Sequence, residues 1–135
     1  MSPKQIVRAF FESEFYKDEA VLEKYIHDDF QLFWNSSAGY SHMDKTSFSQ
    51  MLMEMSSSFE SLRSSITHVL QEDNTVTIRY TFHIKTIENP EEEVPMAHFI
   101  SIFELEDNKI IKGFQISQPA EESIENLRSF LPNNS

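Results

Sequence analysis

Apolar residues recur along this chain at two spacings, and the change from one to the other divides it in two. Near the start, Ile6, Val7, Phe10 and Phe11 fall at helical intervals, which predicts a helix running to about Tyr16. Ser2 followed by Pro3 suits its first turn: a side-chain oxygen for the free N–H groups, then a residue whose missing N–H is not needed there. Asp18 offers the same capping chemistry ahead of Val21, Leu22, Tyr25 and Ile26, predicting a second, shorter helix. Residues 30–34, Phe-Gln-Leu-Phe-Trp, read as a short strand. Asp44 caps a third helix whose buried stripe is Phe48, Met51, Leu52 and Met55. Such a stripe is core filler by default and, because methionine adapts its shape, also a candidate pocket wall.

From residue 62 the period drops to two. Leu62, Ser64, Ile66, His68 and Leu70 share one face of a long strand, and the polar residues 71–74 form the turn after it. Val76, Ile78, Tyr80, Phe82 and Ile84 line one face of the next strand, opposite Thr75, Thr77, Arg79, Thr81, His83 and Lys85. Strands over 94–105 and 110–117 follow, joined at Asp107-Asn108 and stopped by Pro119. Residues 121–130 read as a closing helix carrying Ile124 and Leu127, which either closes the fold or packs outside it. A polar tail from Pro132 follows. The expected class is α+β, with three N-terminal helices in the concave face of a strongly bent, mostly antiparallel sheet, a cone open at one end. Residues 1–135 form one domain, with 121–135 its C-terminal helix and tail.

Composition narrows the partners. A chain of 135 residues buries roughly two-thirds of its unfolded surface, and its 12 Phe are core material. The net charge of −11 repels phosphate backbones and anionic membranes, so neither nucleic acid nor membrane is expected. The absence of cysteine excludes disulfides, thiol catalysis and Cys-ligated zinc, and fits a cytoplasmic location. The start of the chain has no basic stretch leading an apolar one, and no window approaches 18 apolar residues, so neither a signal peptide nor a membrane span is expected. With glycine only at 39 and 113, a Gly-rich phosphate loop is impossible. No cofactor is expected, and no metal: the His, Asp and Glu residues show no helical ligand spacing on a core face. The outer face of the sheet mixes Arg79, Thr81 and His83 with Phe114 and Ile116, too apolar to be simply wet, which predicts a homodimer through it.

The order of elements, with the segment Val21-Leu22-Glu23-Lys24-Tyr25-Ile26-His27-Asp28-Asp29-Phe30, resembles the nuclear-transport-factor-2-like, or SnoaL-like, superfamily, the cystatin-like cone fold. Ala97-His98-Phe99 and Asn108-Lys109-Ile110-Ile111 resemble its third long strand and last hairpin. The likeness covers roughly residues 3–120. It implies a fold that houses isomerases, dehydratases, cyclases, epoxide hydrolases and binding modules, so the fold alone does not choose a function.

Each catalytic reading meets a missing residue. Aligned without gaps on Asp28-Asp29, the ketosteroid isomerase pattern of a Tyr, an Asp base and a protonated Asp falls on Phe10, Trp34 and Ala97, which cannot do that chemistry. An epoxide hydrolase needs an interior Asp-Arg-Asp set, and Arg79 lies on the wrong face of its strand. The alignment places Trp34, Ile78, Tyr80, Phe82, Ala97, Phe99, Ser101, Phe103, Gly113, Gln115 and Ser117 inside the cone. Of these, Trp34, Tyr80, Phe82, Phe99, Ser101, Gln115 and Ser117 are the expected ligand-binding residues. His68, facing inward with Ile66 and Leu70, and Tyr80 are the candidates for proton transfer, with Tyr16 and His42 as rim alternatives. Each also has a structural reading: His68 as a buried neutral imidazole, Tyr80 as a core aromatic with one partner, His42 as a loop residue. His27 reads as a cation at a helix C-terminus, His98 and His83 as outer-face residues. The expected function is binding of a small, largely apolar molecule in the cone, with catalysis unproven. The alternatives are a non-catalytic dimeric interaction module with a filled cone, and a cofactor-independent isomerase, cyclase or dehydratase using His68 or Tyr80.

Overall fold

Local chemistry starts each helix as expected. In α1 (Pro3–Glu12) the Ser2 hydroxyl accepts from the Gln5 N–H at 3.2 Å, and the Gln5 side chain accepts from the Ser2 N–H at 2.8 Å. The helix ends before Tyr16. Ser13 caps it by donating from backbone and hydroxyl to the Phe10 carbonyl, and Phe15 and Tyr16 enter the core from a turn. Asp18 caps α2 (Glu19–Tyr25), and Asp44 caps α3 (Lys45–Ser56) by accepting from the Ser47 N–H at 2.8 Å.

The computed structural model describes residues 1–121 and 123–130. Among these, six strands form one sheet. Ile26 is not helical; it opens β1 (Ile26–Ser36), which is longer than the short strand expected, and β2 (Gly39–Asp44) pairs back against it where a loop was expected. The four-strand meander is present as β3 (Phe59–Glu72), β4 (Thr75–Thr86), β5 (Glu93–Glu106) and β6 (Lys109–Pro119). Spatial order is β2-β1-β6-β5-β4-β3, with β1 parallel to β6 and every other neighbouring pair antiparallel. Helices α1 to α3 fill the concave face, and the core lies between them and the sheet, giving the α+β cone.

A β-bulge corrects the reading of β3. Ile66 pairs with Tyr80 but His68 with Arg79, so Thr67 is an extra residue and the side-chain alternation inverts after it. Val69 is buried in place of Leu70, which is exposed, and His68 stands exposed on the outer face.

The final helix, α4 (Ile124–Ser129), packs outside the cone. Arg79 donates to the Ser129 carbonyl at 2.7 Å and its guanidinium lies 3.7 Å from the centre of the Phe130 ring. Phe130 stacks on His98, whose Nε2 donates to Asn126 Oδ1 at 2.8 Å. The expected contribution of the Ile124 side chain, and the polar tail from Pro132, lie outside the described residues. On this face Thr81, His83 and His98 are buried, where a wet or interface position was expected for the histidines. His83 sits beside the Arg63–Glu93 ion pair, and its Nε2 has no hydrogen-bond partner among the described residues. Among the described residues no helix is long and apolar enough to cross a membrane.

Two features set stability. A Cβ at Gly113 would stand 2.9 Å from Leu32 Cδ1 and Phe103 Cε1, so β6 reaches its neighbours only without a side chain there. Gly113→Ala is expected to lower the unfolding free energy by about 1–3 kcal/mol in urea titration, the usual cost of overpacking a core. Burial, with Arg63 nearby, holds the His83 imidazole below its ordinary value of 6.5, against the smaller opposing effect of Glu93. The unfolded chain therefore takes up a proton that the folded one refuses, and stability is full above pH 6.5 and falls as the pH drops below it. Glu93, held low by its bond to Arg63, and Asp44, held low by the Ser47 N–H, lose their contributions only below their ordinary values of 4.5 and 3.8. The urea midpoint is expected to fall between pH 7 and pH 5.5, and His83→Phe to flatten that part of the profile.

Candidate functional site

Strand alternation and the bend of the sheet place one set of side chains around a cavity of about 320 Å³ inside the cone. Inner positions of β4 supply Tyr80 and Phe82, β5 supplies Ala97, Phe99 and Phe103, and β6 supplies Gln115 and Ser117. Phe30, Leu32 and Trp34 come from β1, Phe10 and Phe11 from α1, and Phe48, Met51, Leu52 and Met55 from α3. The exposed Ser37 and Pro119 mark where the cavity meets solvent. The walls are packed aromatic surface: Tyr80 and Phe99 stack with centroids 5.0 Å apart and planes 4° from parallel, and Phe11 lies 4.5 Å from Tyr80.

Two short polar groups interrupt the apolar wall. Ser101 Oγ donates to Gln115 Oε1 at 3.3 Å and stands 3.0 Å from the Tyr80 hydroxyl. Trp34 Nε1 donates to Ser117 Oγ at 2.9 Å. Burial pushes the Tyr80 phenol far above its ordinary value, and the bond to Ser101 offsets this only in part, so the group stays protonated at any physiological pH.

The positions expected to bind ligand or to transfer a proton separate into three groups. Trp34, Tyr80, Phe82, Phe99, Gln115 and Ser117 all line the cavity. Ser101 is fully buried behind the wall, where it joins Tyr80 to Gln115. His68 is nowhere near: the bulge in β3 turns it to the outer face, and its expected inward direction is corrected. Ile78 and Gly113 share the inner face but lie deeper than the lining. The rim alternatives also move. Tyr16 is buried outside the lining, and His42 is on β2, stacked on the outer-face Phe33 at 4.7 Å and paired with Gln31. Arg79 lies on the outer face, under Phe130.

Phe10, Trp34 and Ala97, the positions aligned with the ketosteroid isomerase set, do line this one cavity. None of the three carries a group that ionises. Among the described residues, none that lines the cavity is Asp, Glu, His, Lys or Arg. What the arrangement can do is hold a neutral molecule and orient it by hydrogen bonds; moving a proton near neutral pH needs a group it does not supply.

Sequence spacing missed one convergence. His27, in β1 rather than at a helix end, stands 3.7 Å from Glu106 and 3.8 Å from Asp107 across the β5–β6 turn. These are ligand types, but His27 Nδ1 accepts from the Asp29 N–H at 3.0 Å. With Nδ1 accepting, the ring proton sits on Nε2, which faces the carboxylates, so neither ring nitrogen turns a lone pair toward a metal there.

Comparison with known proteins agrees with this geometry. The sequence profile of the SnoaL-like domain matches residues 7–113. None of the curated proteins compared with the chain matches it. Among solved structures, IdmH, a candidate polyketide cyclase from Streptomyces antibioticus, superposes with a TM-score of 0.69 at 15% identity, over 87% of this chain and 92% of its own. A candidate SnoaL-like polyketide cyclase from Shewanella denitrificans gives 0.66 at 10% identity over 95% of each chain. A protein from Catenulispora acidiphila with a ketosteroid isomerase-like fold, solved with trimethylamine, gives 0.61 at 14% identity over 98% and 96%. At these identities the structures speak for the fold, the cone with helices in its concave face, and the profile speaks for the family: the chain belongs to the SnoaL-like domain family, within the nuclear-transport-factor-2-like fold.

Proposed function

We propose that the protein binds a small, largely apolar, uncharged molecule in the cone cavity and supplies no acid or base to it. The observation that carries this is the cavity itself: about 320 Å³, walled by aromatic and methionine side chains, with no charged residue in its lining among the described residues. That volume lies within the roughly 300–1,000 Å³ of small-molecule sites. It also argues against a cone filled by its own side chains. The stacked aromatic walls suit a flat ligand. A proton-transfer role loses support, since His68 is outside the cone and Tyr80 is locked in its neutral form.

The single tryptophan, Trp34, stands on the cavity wall and reports occupancy by its fluorescence. N-phenyl-1-naphthylamine, a neutral apolar probe, is expected to quench Trp34 as it binds, and Ala97→Phe, which fills the cavity from β5, is expected to weaken that binding at least tenfold without lowering the thermal midpoint. An unchanged titration in Ala97→Phe would place the probe elsewhere and overturn the reading. Native mass spectrometry of the protein as purified checks in parallel for a retained mass of a few hundred daltons.

We also infer that two copies pair through the outer sheet face. Phe33 and Phe114 stack there at 5.3 Å, with Ile100, Ile102 and Ile116 exposed around them. Helix α4 covers Arg79 and His98 at one end of this face and leaves the β1–β6–β5 region open. A net charge of −11 opposes the approach of two copies, so an apolar contact has to outweigh it. Phe114→Glu is expected to shift the protein from dimer to monomer in light scattering at micromolar concentration while leaving probe binding intact. A wild-type monomer would overturn the inference.

A further inference from the structure

We propose that the cavity selects its ligand by an acceptor oxygen, a carbonyl, quinone or ether, received by two fixed donors on β6: the amide of Gln115 and the hydroxyl of Ser117. This rests on the reading of the cone as a binding site and names the chemistry of what it holds.

The direction of the buried hydrogen bonds carries the argument. Tyr80 is 1% exposed and Ser101 fully buried, so neither hydroxyl can turn to water. With Ser101 donating to Gln115 Oε1, the phenol donates to Ser101 Oγ, and every proton in the chain has an acceptor. Reversing the Gln115 amide would make Ser101 donate to the phenol oxygen and leave the phenol proton with no acceptor. An unmade bond of that kind costs about 1–3 kcal/mol. The relay therefore runs outward from Tyr80 through Ser101 and ends on the Gln115 carbonyl. The Gln115 NH₂ is left over, with no partner among the described residues, on a side chain that lines the cavity.

The second donor follows from the indole. A tryptophan N–H only donates, so Ser117 Oγ is the acceptor of the 2.9 Å bond, and the Ser117 proton remains free. It too has no acceptor among the described residues. Gln115 and Ser117 pair with Ser101 and Phe99 on β5, on one face of β6, and are spaced about 7 Å apart along the strand. At the mouth, where Ser36 and Ser37 also line the cavity, the Ser36 hydroxyl is engaged within its own turn, donating to the Gly39 carbonyl and accepting from the Ala38 N–H. The β6 wall thus offers two donors that have no acceptor among the described residues. An acceptor oxygen completes them. An ammonium would face two N–H or O–H dipoles of the wrong sign, and a carboxylate would be buried without a cation.

The test uses molecules of one shape and different polarity: 1-tetralone, tetralin and 1-aminotetralin, each displacing N-phenyl-1-naphthylamine with Trp34 and probe fluorescence as readouts. Tetralone is expected to displace at about three- to tenfold lower concentration than tetralin, the net worth of a neutral hydrogen bond, and the protonated amine to displace least. In Gln115→Leu, and independently in Ser117→Ala, the advantage of tetralone over tetralin is expected to shrink while tetralin itself is held as before. Two single variants keep the test open if one fails to fold, which thermal unfolding reveals. Equal displacement by tetralone and tetralin in the unaltered protein, or equal loss of both in the variants, would overturn the donor assignment while leaving the pocket standing. Failure of the probe and all three compounds to bind would remove the pocket reading, and this inference with it.

Discussion

The parallel pairing of β1 with β6 is the constraint on which the rest of the molecule depends. A parallel neighbour cannot be reached by a tight turn, so the chain between these strands has to travel around the fold before it closes. Here that excursion comprises β2, α3 and the meander β3 to β5, and the sheet bends around the helices it carries. The same register sets Leu32 beside Gly113 and Trp34 beside Gln115. The first contact fixes how closely the strands can lie, because a side chain at 113 would collide with Leu32 and Phe103. The second puts the indole N–H within reach of Ser117, so the closure that makes the cone also orients its polar edge.

Much of this was legible in the sequence, and the exceptions have physical causes. Ser2, Asp18 and Asp44 marked helix starts because capping is chemistry between near neighbours. The strict alternation from Val76 to Ile84 gave β4, and with it Tyr80 and Phe82 on the cavity wall. β2 escaped because an edge strand with four of its six residues exposed carries no apolar alternation. The bulge at Thr67 escaped because one inserted residue leaves composition and spacing plausible while inverting every side chain after it; His68 was misplaced for that reason alone. The docking of α4 on the outer face rests on Arg79, His98, Asn126 and Phe130, which are far apart along the chain and share no periodicity.

Charge and cavity are kept apart in this fold. Lys45 is tied to Glu23 and Asp28, and Arg63 to Glu93, all away from the cavity lining, and the surplus of acidic groups is spread over the surface. Inside, Phe10, Trp34 and Ala97 face the cavity with no group that ionises. An apolar wall there removes the desolvation cost that an unpaired carboxylate would carry, and removes with it the groups that could shift a proton.

On the proposed binding reading, a cavity without charged lining has to distinguish one apolar molecule from another, and hydrophobic contact discriminates shape only weakly, at about 1–3 kcal/mol per methylene. Directional hydrogen bonds discriminate better, but only when the protein cannot satisfy them itself. The relay from Tyr80 through Ser101 meets that condition, because burial keeps water from both hydroxyls and leaves the Gln115 amide unspent at the cavity wall. Tyr80 then has a role that does not require it to ionise: by donating to Ser101 it fixes which end of the Gln115 amide faces the cavity. A phenol is protonated at physiological pH even at its ordinary value of 10.0, and burial moves Tyr80 further from ionising, so the relay points one way throughout that range.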